Sequence, residues 1–326
     1  MPLPGPVRRA AGTRPASVLV DVLERLAPPR RDGLGVLTLH RVGPQSPDVA
    51  PGTLSATPER LADLLDNLAR RHAFIDLDAL LRRLDGGAAL PPRALLVTID
   101  DGYLDTAEHA WPILRDRGVP AVLFVPTAYP DDATRTFWWD RVYRAMAASP
   151  ASDVRLPDGS VHALSDGPSR ARTYRAFRDA VKAMPHDDLL AAVDATVGRL
   201  GPEPPRSGIL GWAALRALAA DGLTLAPHSR THPLLARIRT DELDGEIAGS
   251  REDLAREAGV ASVAFAYPSG AVSGPVRDAV ARAGLRVAFT TDRGSNDLRH
   301  ADPLTLRRVN VAVGTPAPLI RAQVVR

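Results

Sequence analysis

The feature that most constrains the fold is a regular alternation of short apolar runs with longer amphipathic stretches. Runs such as 34–40 (LGVLTLH), 93–99 (RALLVTI) and 119–125 (VPAVLFV) have the length of buried strands, and the segments between most of them repeat apolar residues at helical spacing. Alternation of this kind predicts a parallel sheet covered by helices. We therefore predict an α/β fold, a distorted or incomplete (β/α) barrel of about seven parallel strands. An open doubly wound sheet is the alternative, but no strand is followed by a glycine-rich phosphate loop.

The alternation is interrupted once, and this interruption suggests how the chain is organised. Residues 130–207 form a mainly helical insertion, with a long helical stretch from about Arg170 to Leu200, and this insertion could form a lid. Residues 1–33 are predicted to be an N-terminal extension with a short helix. Residues 34–326, with the insertion, are predicted to form a single barrel domain.

Composition narrows the chemistry available to the chain. The sequence contains no cysteine, which excludes disulfides and thiolate metal ligands, so any metal site must use His, Asp or Glu. The net charge is only +3 and no basic run is interleaved with aromatic residues, so we predict no nucleic-acid partner. The first thirty residues lack the apolar core of a signal peptide, and no run is long enough for a transmembrane segment. We therefore expect a cytoplasmic protein.

Polar residues follow several of the predicted strands. His40 ends the first, Asp100 and Asp101 end the strand at 93–99, and His228 follows the strand at Leu225. Parallel barrels place their active sites at the carboxyl ends of their strands, so these side chains are predicted to meet at one face.

The paired aspartates and the two histidines each have a structural interpretation as well as a functional one. An Asp-Gly step after a strand often makes only a turn. Asp100 and Asp101 can share one pocket only if the backbone turns between them, which Gly102 makes easier. His228 and His232 are four residues apart, so on one helical turn they would face the same way and could chelate one ion.

The ordered combination of TIDDGY, HSRTH and AYPSG resembles the polysaccharide deacetylase family (the NodB-homology domain), which includes chitooligosaccharide and peptidoglycan deacetylases. The similarity extends over about residues 35–313. The resemblance implies a distorted (β/α) barrel and hydrolysis of an N- or O-acetyl group on a carbohydrate. It also implies one divalent metal ion, zinc, with cobalt, nickel or manganese as alternatives.

The resemblance also implies roles for individual residues. Asp101, His228 and His232 correspond to the metal ligands, and Asp100 corresponds to the general base. The family pattern RxPYG corresponds here to AYPSG. Ala266 therefore stands where the family has an arginine that braces the base, and Ser269 stands at the tyrosine position, where its backbone N–H can stabilise an oxyanion. Arg307 or Arg308 could replace the missing arginine, although we favour a surface position for both.

Other residues are candidates for the remaining roles. His40 corresponds to the histidine that part of the family carries on the first strand, and it is our candidate general acid, with a structural role as the alternative. Tyr267, Pro268 and Trp139 are predicted to contact substrate, although an aromatic pair such as Trp138 and Trp139 is more often part of a core.

The predicted function is therefore metal-dependent deacetylation of a polysaccharide, an oligosaccharide or a lipid-linked saccharide precursor. The last of these substrates would be met through peripheral association with the inner membrane surface. Two alternatives stay open: an amidohydrolase acting on a small cyclic amide or imide, and a carbohydrate-binding relative without turnover. The sequence does not predict an oligomeric state.

Overall fold

A computed structural model describes residues 31–46, 49–201 and 208–325 of the chain. Residues 1–30 of the predicted N-terminal extension lie outside the described residues, so the structure does not test the helix predicted there. No helix in the described ranges is long and apolar enough to cross a membrane.

Seven parallel strands form a nearly closed barrel. Their bounds are β1 Gly33–Leu39, β2 Ala94–Asp100, β3 Ala121–Val125, β4 Thr224–Pro227, β5 Ala264–Ala266, β6 Val287–Arg293 and β7 Leu306–Asn310. Their order is β5-β6-β7-β1-β2-β3-β4, and each hydrogen-bonded pair is parallel. β4 and β5 pack side by side without a ladder, so the barrel has one open seam. The predicted fold class is confirmed.

The interior of the barrel follows from the two-residue period of a strand. Along β1 and β2, alternate side chains such as Leu34, Val36 and Leu96 enter one core together with Phe124 and Phe289. The intervening side chains point to the surrounding helices. Residues at even positions of β2 therefore point inward, and this series ends at Asp100.

Helices surround the barrel. Outside the insertion they are α1 Pro58–Ala69, α2 Leu77–Leu84, α3 Trp111–Asp116, α7 Trp212–Ala220, α8 Leu243–Ala258, α9 Gly274–Arg282 and α10 Ala317–Val325. A π-helical turn, Thr106–Ala110, precedes α3. The start of α1 illustrates how the sequence sets a boundary: Thr57 caps it by accepting from the Arg60 N–H, and Pro58 occupies the first turn.

The insertion has a core of its own. It contains α4 Trp138–Ala148, an antiparallel hairpin of Asp153–Arg155 with Val161–Ala163, α5 Gly167–Val181 and α6 His186–Leu200. Residues such as Phe177 and Val193 are fully buried in its core. The long helical stretch predicted from about Arg170 to Leu200 consists of two helices, because Pro185 cannot continue α5 and instead stands immediately before α6. The insertion packs over the carboxyl ends of the barrel strands.

Candidate active site

A pocket of about 130 Å³ lies at the carboxyl ends of the barrel strands, beneath the insertion. The barrel contributes its acidic and imidazole side chains, and the insertion contributes aromatic and basic ones. Its lining includes His40, Asp100, Asp101, Trp138, Trp139, Tyr174, Arg178, Lys182, His228, His232 and Ser269. The structure therefore brings together seven of the nine predicted site residues.

The two aspartates share the pocket because the backbone turns sharply after β2. Asp100 is the last inward residue of the strand, and extended backbone would point Asp101 outward. Instead Asp101 has a φ of 78° and Gly102 a φ of 69°. The left-handed conformation is costly for a non-glycine residue and is characteristic of functional sites. Both carboxylates are consequently buried in one pocket.

Asp100 is held by Arg308, which is 1% exposed. The guanidinium donates two hydrogen bonds to the carboxylate, of 2.8 and 2.7 Å, and its Nε donates to the Thr290 carbonyl at 2.8 Å. Burial raises the pKa of Asp100, but the charge and hydrogen bonds of Arg308 and the nearby His228 and His40 together outweigh burial, so the net pKa lies below the usual range. The surface position favoured for Arg308 is wrong. In β7 it follows Leu306 by two residues and points into the barrel, whereas Arg307 is exposed.

Asp101, His228 and His232 form a cluster that could hold one metal ion. Each offers one ligand atom, and these atoms lie within 4.8 Å of one another. The Asp101 Oδ1 is 3.6 Å from the His228 Nε2 and 3.3 Å from the His232 Nε2. Among the residues the structure describes, this is the only such group of three or more His, Asp or Glu side chains.

The protonation of these groups fits metal binding. The His228 Nδ1 lies 2.7 Å from the Ala266 carbonyl oxygen, which can only accept, so Nδ1 carries the proton and Nε2 is free to coordinate. Burial lowers the pKa of His228 to about 4, which keeps the ring neutral. Burial raises the pKa of Asp101. The hydrogen bond with His232 and the charges of the nearby histidines lower this pKa by more, so its net value lies below the usual range and the carboxylate is ionised. One carboxylate and two imidazoles form a donor set that suits zinc or a similar ion.

The same hydrogen bond has a structural consequence. His228 follows β4 and Ala266 ends β5, so their contact joins the two strands across the open seam of the barrel. A candidate metal ligand therefore closes the seam at the carboxyl ends of the two strands.

The histidines lie on a loop rather than on the predicted helical turn. Ser229 and His232 have φ values of 61° and 58°, which no α-helix contains. Glu246, in the first turn of α8, accepts from the backbone N–H groups of Arg230 and Thr231 at 2.9 Å each and from the Thr231 hydroxyl at 2.7 Å. The Ser229 Oγ also accepts from the His232 N–H at 3.1 Å. These bonds shape the loop so that both imidazoles face Asp101.

Three other predicted residues line the pocket. His40 continues the inward series of β1, and its backbone N–H donates to the Ser55 Oγ at 2.9 Å. Ser269 is exposed, with a φ of 54° in the turn after β5. The Trp139 ring packs edge-on against His232, with 4.8 Å between the ring centroids. Its indole N–H donates to the Tyr103 hydroxyl.

Tyr267 and Pro268 do not line the pocket, contrary to the prediction that they contact substrate. Both are buried. The alternation of β5 points Ala266 into the barrel and Tyr267 toward the outer helices, where its hydroxyl donates to the Leu304 carbonyl at 2.8 Å. Tyr267 is therefore part of the core between strand and helix.

A wider groove of about 940 Å³ adjoins the pocket and shares Trp138 and His232 with it. The pocket alone is smaller than a typical site for a whole small molecule, which is roughly 300 Å³ or more. A small group such as acetyl fits the pocket, and the groove leaves room for the rest of a larger substrate.

Sequence reasoning missed Glu246, Lys182 and the buried pair Tyr103 and Asp140, in which the tyrosine hydroxyl donates to the carboxylate at 2.8 Å. Glu246 stands among several similar acidic residues and carried no distinguishing signal. Lys182 did carry one, because it is the only lysine in the chain.

A family model for polysaccharide deacetylases matches residues 87–288. The chain belongs to the polysaccharide deacetylase family. The matched range includes Asp100, Asp101, His228 and His232, whereas His40 and Arg308 lie outside it. A search of curated protein sequences finds no match.

Solved structures of deacetylases share the fold of this family member. The Streptococcus pyogenes deacetylase PplD, solved in complex with acetate, has a TM-score of 0.62 at 15% identity, with 91% of this chain and 99% of that chain covered. IcaB from Ammonifex degensii has a TM-score of 0.59 at 20% identity, covering 90% and 98%. The BpsB deacetylase domain from Bordetella bronchiseptica has a TM-score of 0.54 at 18% identity, covering 88% and 98%.

Proposed function

We propose that this protein is a metal-dependent hydrolase that removes an N- or O-acetyl group from a carbohydrate. The observation that carries the proposal is an arginine-braced carboxylate, Asp100, next to the buried cluster of Asp101, His228 and His232. Family membership supports a carbohydrate as the acetylated substrate. The donor set of the cluster supports zinc as the ion, with cobalt, nickel or manganese as alternatives.

The residues of the pocket divide the chemistry between them. A divalent ion held by Asp101, His228 and His232 would supply Lewis-acid polarisation of the acetyl carbonyl and a lowered pKa for the attacking water. Asp100 accepts the proton of that water, because Arg308 keeps its carboxylate ionised and oriented.

Two further groups act on the carbonyl oxygen and on the leaving group. The Ser269 backbone N–H stabilises the oxyanion that develops on the acetyl oxygen. His40 donates a proton to the leaving amine or hydroxyl, since it lines the same pocket as both aspartates.

Release of acetate from acetylated glucosamine oligomers tests the proposal. Purified protein is stripped with a chelator and then supplied with zinc, cobalt, nickel or manganese, and we expect acetate release only after metal is restored. Asp100→Asn is expected to lower kcat by about 10²- to 10⁴-fold, because the amide cannot accept the proton. Asp292→Asn, at an exposed carboxyl in β6, is the matched control and should retain activity.

Two results would contradict different parts of the proposal. Equal kcat in Asp100→Asn and the unmodified protein would remove Asp100 as the base. Absence of acetate release by metal-loaded protein from a panel of N- and O-acetylated sugars would contradict the deacetylase function itself.

A further inference from the structure

Helix α5 of the insertion presents one face to the active-site pocket. Tyr174, Arg178 and Lys182 all line the pocket and follow one another at four-residue spacing, which places them on one side of the helix and its C-terminal end. The insertion therefore adds two basic side chains to a site whose carboxylates come from the barrel.

Lys182 reaches across the mouth of the pocket. Its Nζ donates to the Ser269 Oγ at 3.1 Å, which joins the insertion to the turn after β5. Of the 41 lysine and arginine residues in the chain, Lys182 is the only lysine. Its flexible side chain carries a compact charge that can reach a ligand in the pocket.

The charge of Lys182 is not matched by a carboxylate. In the part of the chain that the structure describes, Lys182 forms no ion pair, and its hydrogen-bond partner Ser269 is neutral. The carboxylate of Asp100 is bound by Arg308, and that of Asp101 faces the two histidines. Among the described residues, the Arg178 guanidinium bonds only to its neighbour Asp179, whose carboxylate is largely exposed. Two cations thus stand close together at a pocket whose acidic groups already have partners.

The closeness of the two cations is electrostatically unfavourable unless an anion is bound between them or beside them. Burial and the charge of Arg178 lower the pKa of Lys182 to about 8, so the ammonium is still mostly protonated near neutral pH. A partly buried cation recovers its lost hydration when it binds an anion. A neutral hydroxyl would compensate less for the lost hydration, because hydrogen bonds that involve charged groups are roughly twice as strong as those between neutral groups.

We propose that Lys182 and Arg178 form an anion subsite that binds a phosphate or carboxylate carried by the acetylated sugar. The inference rests on the proposed function, since it assigns the class of substrate taken by the same pocket. The small volume of the pocket requires the anionic group and the acetyl group to lie on the same sugar or on adjacent sugars. The insertion thereby selects the substrate while the barrel performs the hydrolysis.

The kinetic test compares neutral and charged substrates. The substrates are a neutral N-acetylglucosamine oligomer, N-acetylglucosamine 1-phosphate and N-acetylmuramic acid, each assayed for acetate release. In Lys182→Met the ratio of kcat/KM for a charged substrate to that for the neutral oligomer is expected to fall by about 10- to 100-fold. Loss with the phosphate alone, or with the carboxylate alone, identifies the anion. Lys182→Arg should retain most of the preference.

Arg175→Met is the matched control, because Arg175 lies on the same helix but is exposed and outside the pocket. Its ratio should equal that of the unmodified protein. An equal fall of kcat for neutral and charged substrates in Lys182→Met would overturn the inference, since Lys182 would then act only by positioning Ser269. An unchanged ratio would also overturn it.

A binding measurement separates this inference from the proposed function. Titration calorimetry with N-acetylglucosamine 1-phosphate should give a dissociation constant that rises by about 10- to 100-fold in Lys182→Met and does not change in Arg175→Met. If this difference is found in a protein that releases no acetate, the anion subsite stands and the deacetylase function fails. If acetate is released without any preference for charged sugars, the function stands and the subsite fails.

Discussion

Arg308 braces Asp100 from a different strand than the one on which the family pattern carries its arginine. The family pattern has an arginine at the position of Ala266, on β5, whereas here the guanidinium comes from β7. Both positions point into the barrel, so an arginine at either can reach the end of β2. Ala266 leaves the interior space that the long Arg308 side chain can use, and its carbonyl accepts from His228.

Removal of Arg308 is expected to destabilise the protein as well as inactivate it. Arg308→Met would leave the buried carboxylate of Asp100 without its partner, and breaking a buried pair in this way costs about 3–5 kcal/mol of unfolding free energy. Urea unfolding at constant pH measures the change. Arg307→Met, at the exposed neighbouring position, should change stability by less than about 0.5 kcal/mol. Equal stability of the two variants would show that the pair does not hold the strand end.

Which residues point inward could be predicted from alternation along a strand. In β7 the two-residue period groups Arg308 with buried Leu306 and separates it from Arg307, and in β5 it separates Ala266 from Tyr267. The surface position favoured for Arg308 and the substrate contact predicted for Tyr267 overlooked this period. The motif itself does not state which face of a strand each of its residues occupies.

At the scale of elements, the histidine loop depends on a helix that supplies no ligand. Glu246 belongs to α8, yet its carboxylate satisfies two backbone N–H groups and one hydroxyl of the loop. The left-handed conformations of Ser229 and His232 are unfavourable alone, so the loop needs such external bonds to keep its shape. Glu246 is therefore a positioning residue for the candidate metal ligands.

Loss of this support is expected to weaken metal binding while the barrel stays folded. Glu246→Ala removes the acceptor for the N–H groups of Arg230 and Thr231, and loss of such outer-shell contacts typically costs about 10- to 100-fold in metal affinity. Competition with a zinc chelator measures the affinity, and circular dichroism checks the fold. Glu252→Ala, an exposed acidic residue on the same helix, should bind metal normally. If both variants bind metal equally well, the loop holds its shape without Glu246.

The strands and helices were more predictable than the loops between them. Strand period and helical period are local signals, and they predicted the barrel. The conformation of the histidine loop was not predictable, because its φ values depend on Glu246, which comes later in the chain and is brought near by the fold. The four-residue spacing of His228 and His232 predicted that their side chains lie close together, and they do, but on a loop rather than on a helical turn.

At the scale of the whole molecule, the insertion and the barrel meet at a buried hydrogen-bonded chain. Trp139, on α4, donates to the hydroxyl of Tyr103, which follows β2, and that hydroxyl donates to Asp140. Burial raises the pKa of the Asp140 carboxyl to about 6, despite the hydrogen bond from Tyr103. The junction thus contains a carboxyl that keeps its proton up to a higher pH than an ordinary aspartic acid does.

This junction should make the stability of the whole molecule depend on pH. Between the ordinary pKa of 3.8 and the folded value of about 6, the folded state keeps the Asp140 proton and the unfolded state releases it. The contribution of this group to the free energy of unfolding is therefore fully present at low pH and is lost as pH rises to about 6, by about 3 kcal/mol in total. Asp140→Asn cannot titrate, so urea unfolding over a pH series should show this decline in the unmodified protein but not in the variant. Asp153→Asn, at an exposed position of the insertion, should follow the unmodified protein. Parallel stability curves for Asp140→Asn and the unmodified protein would show that the junction is not where the proton is held.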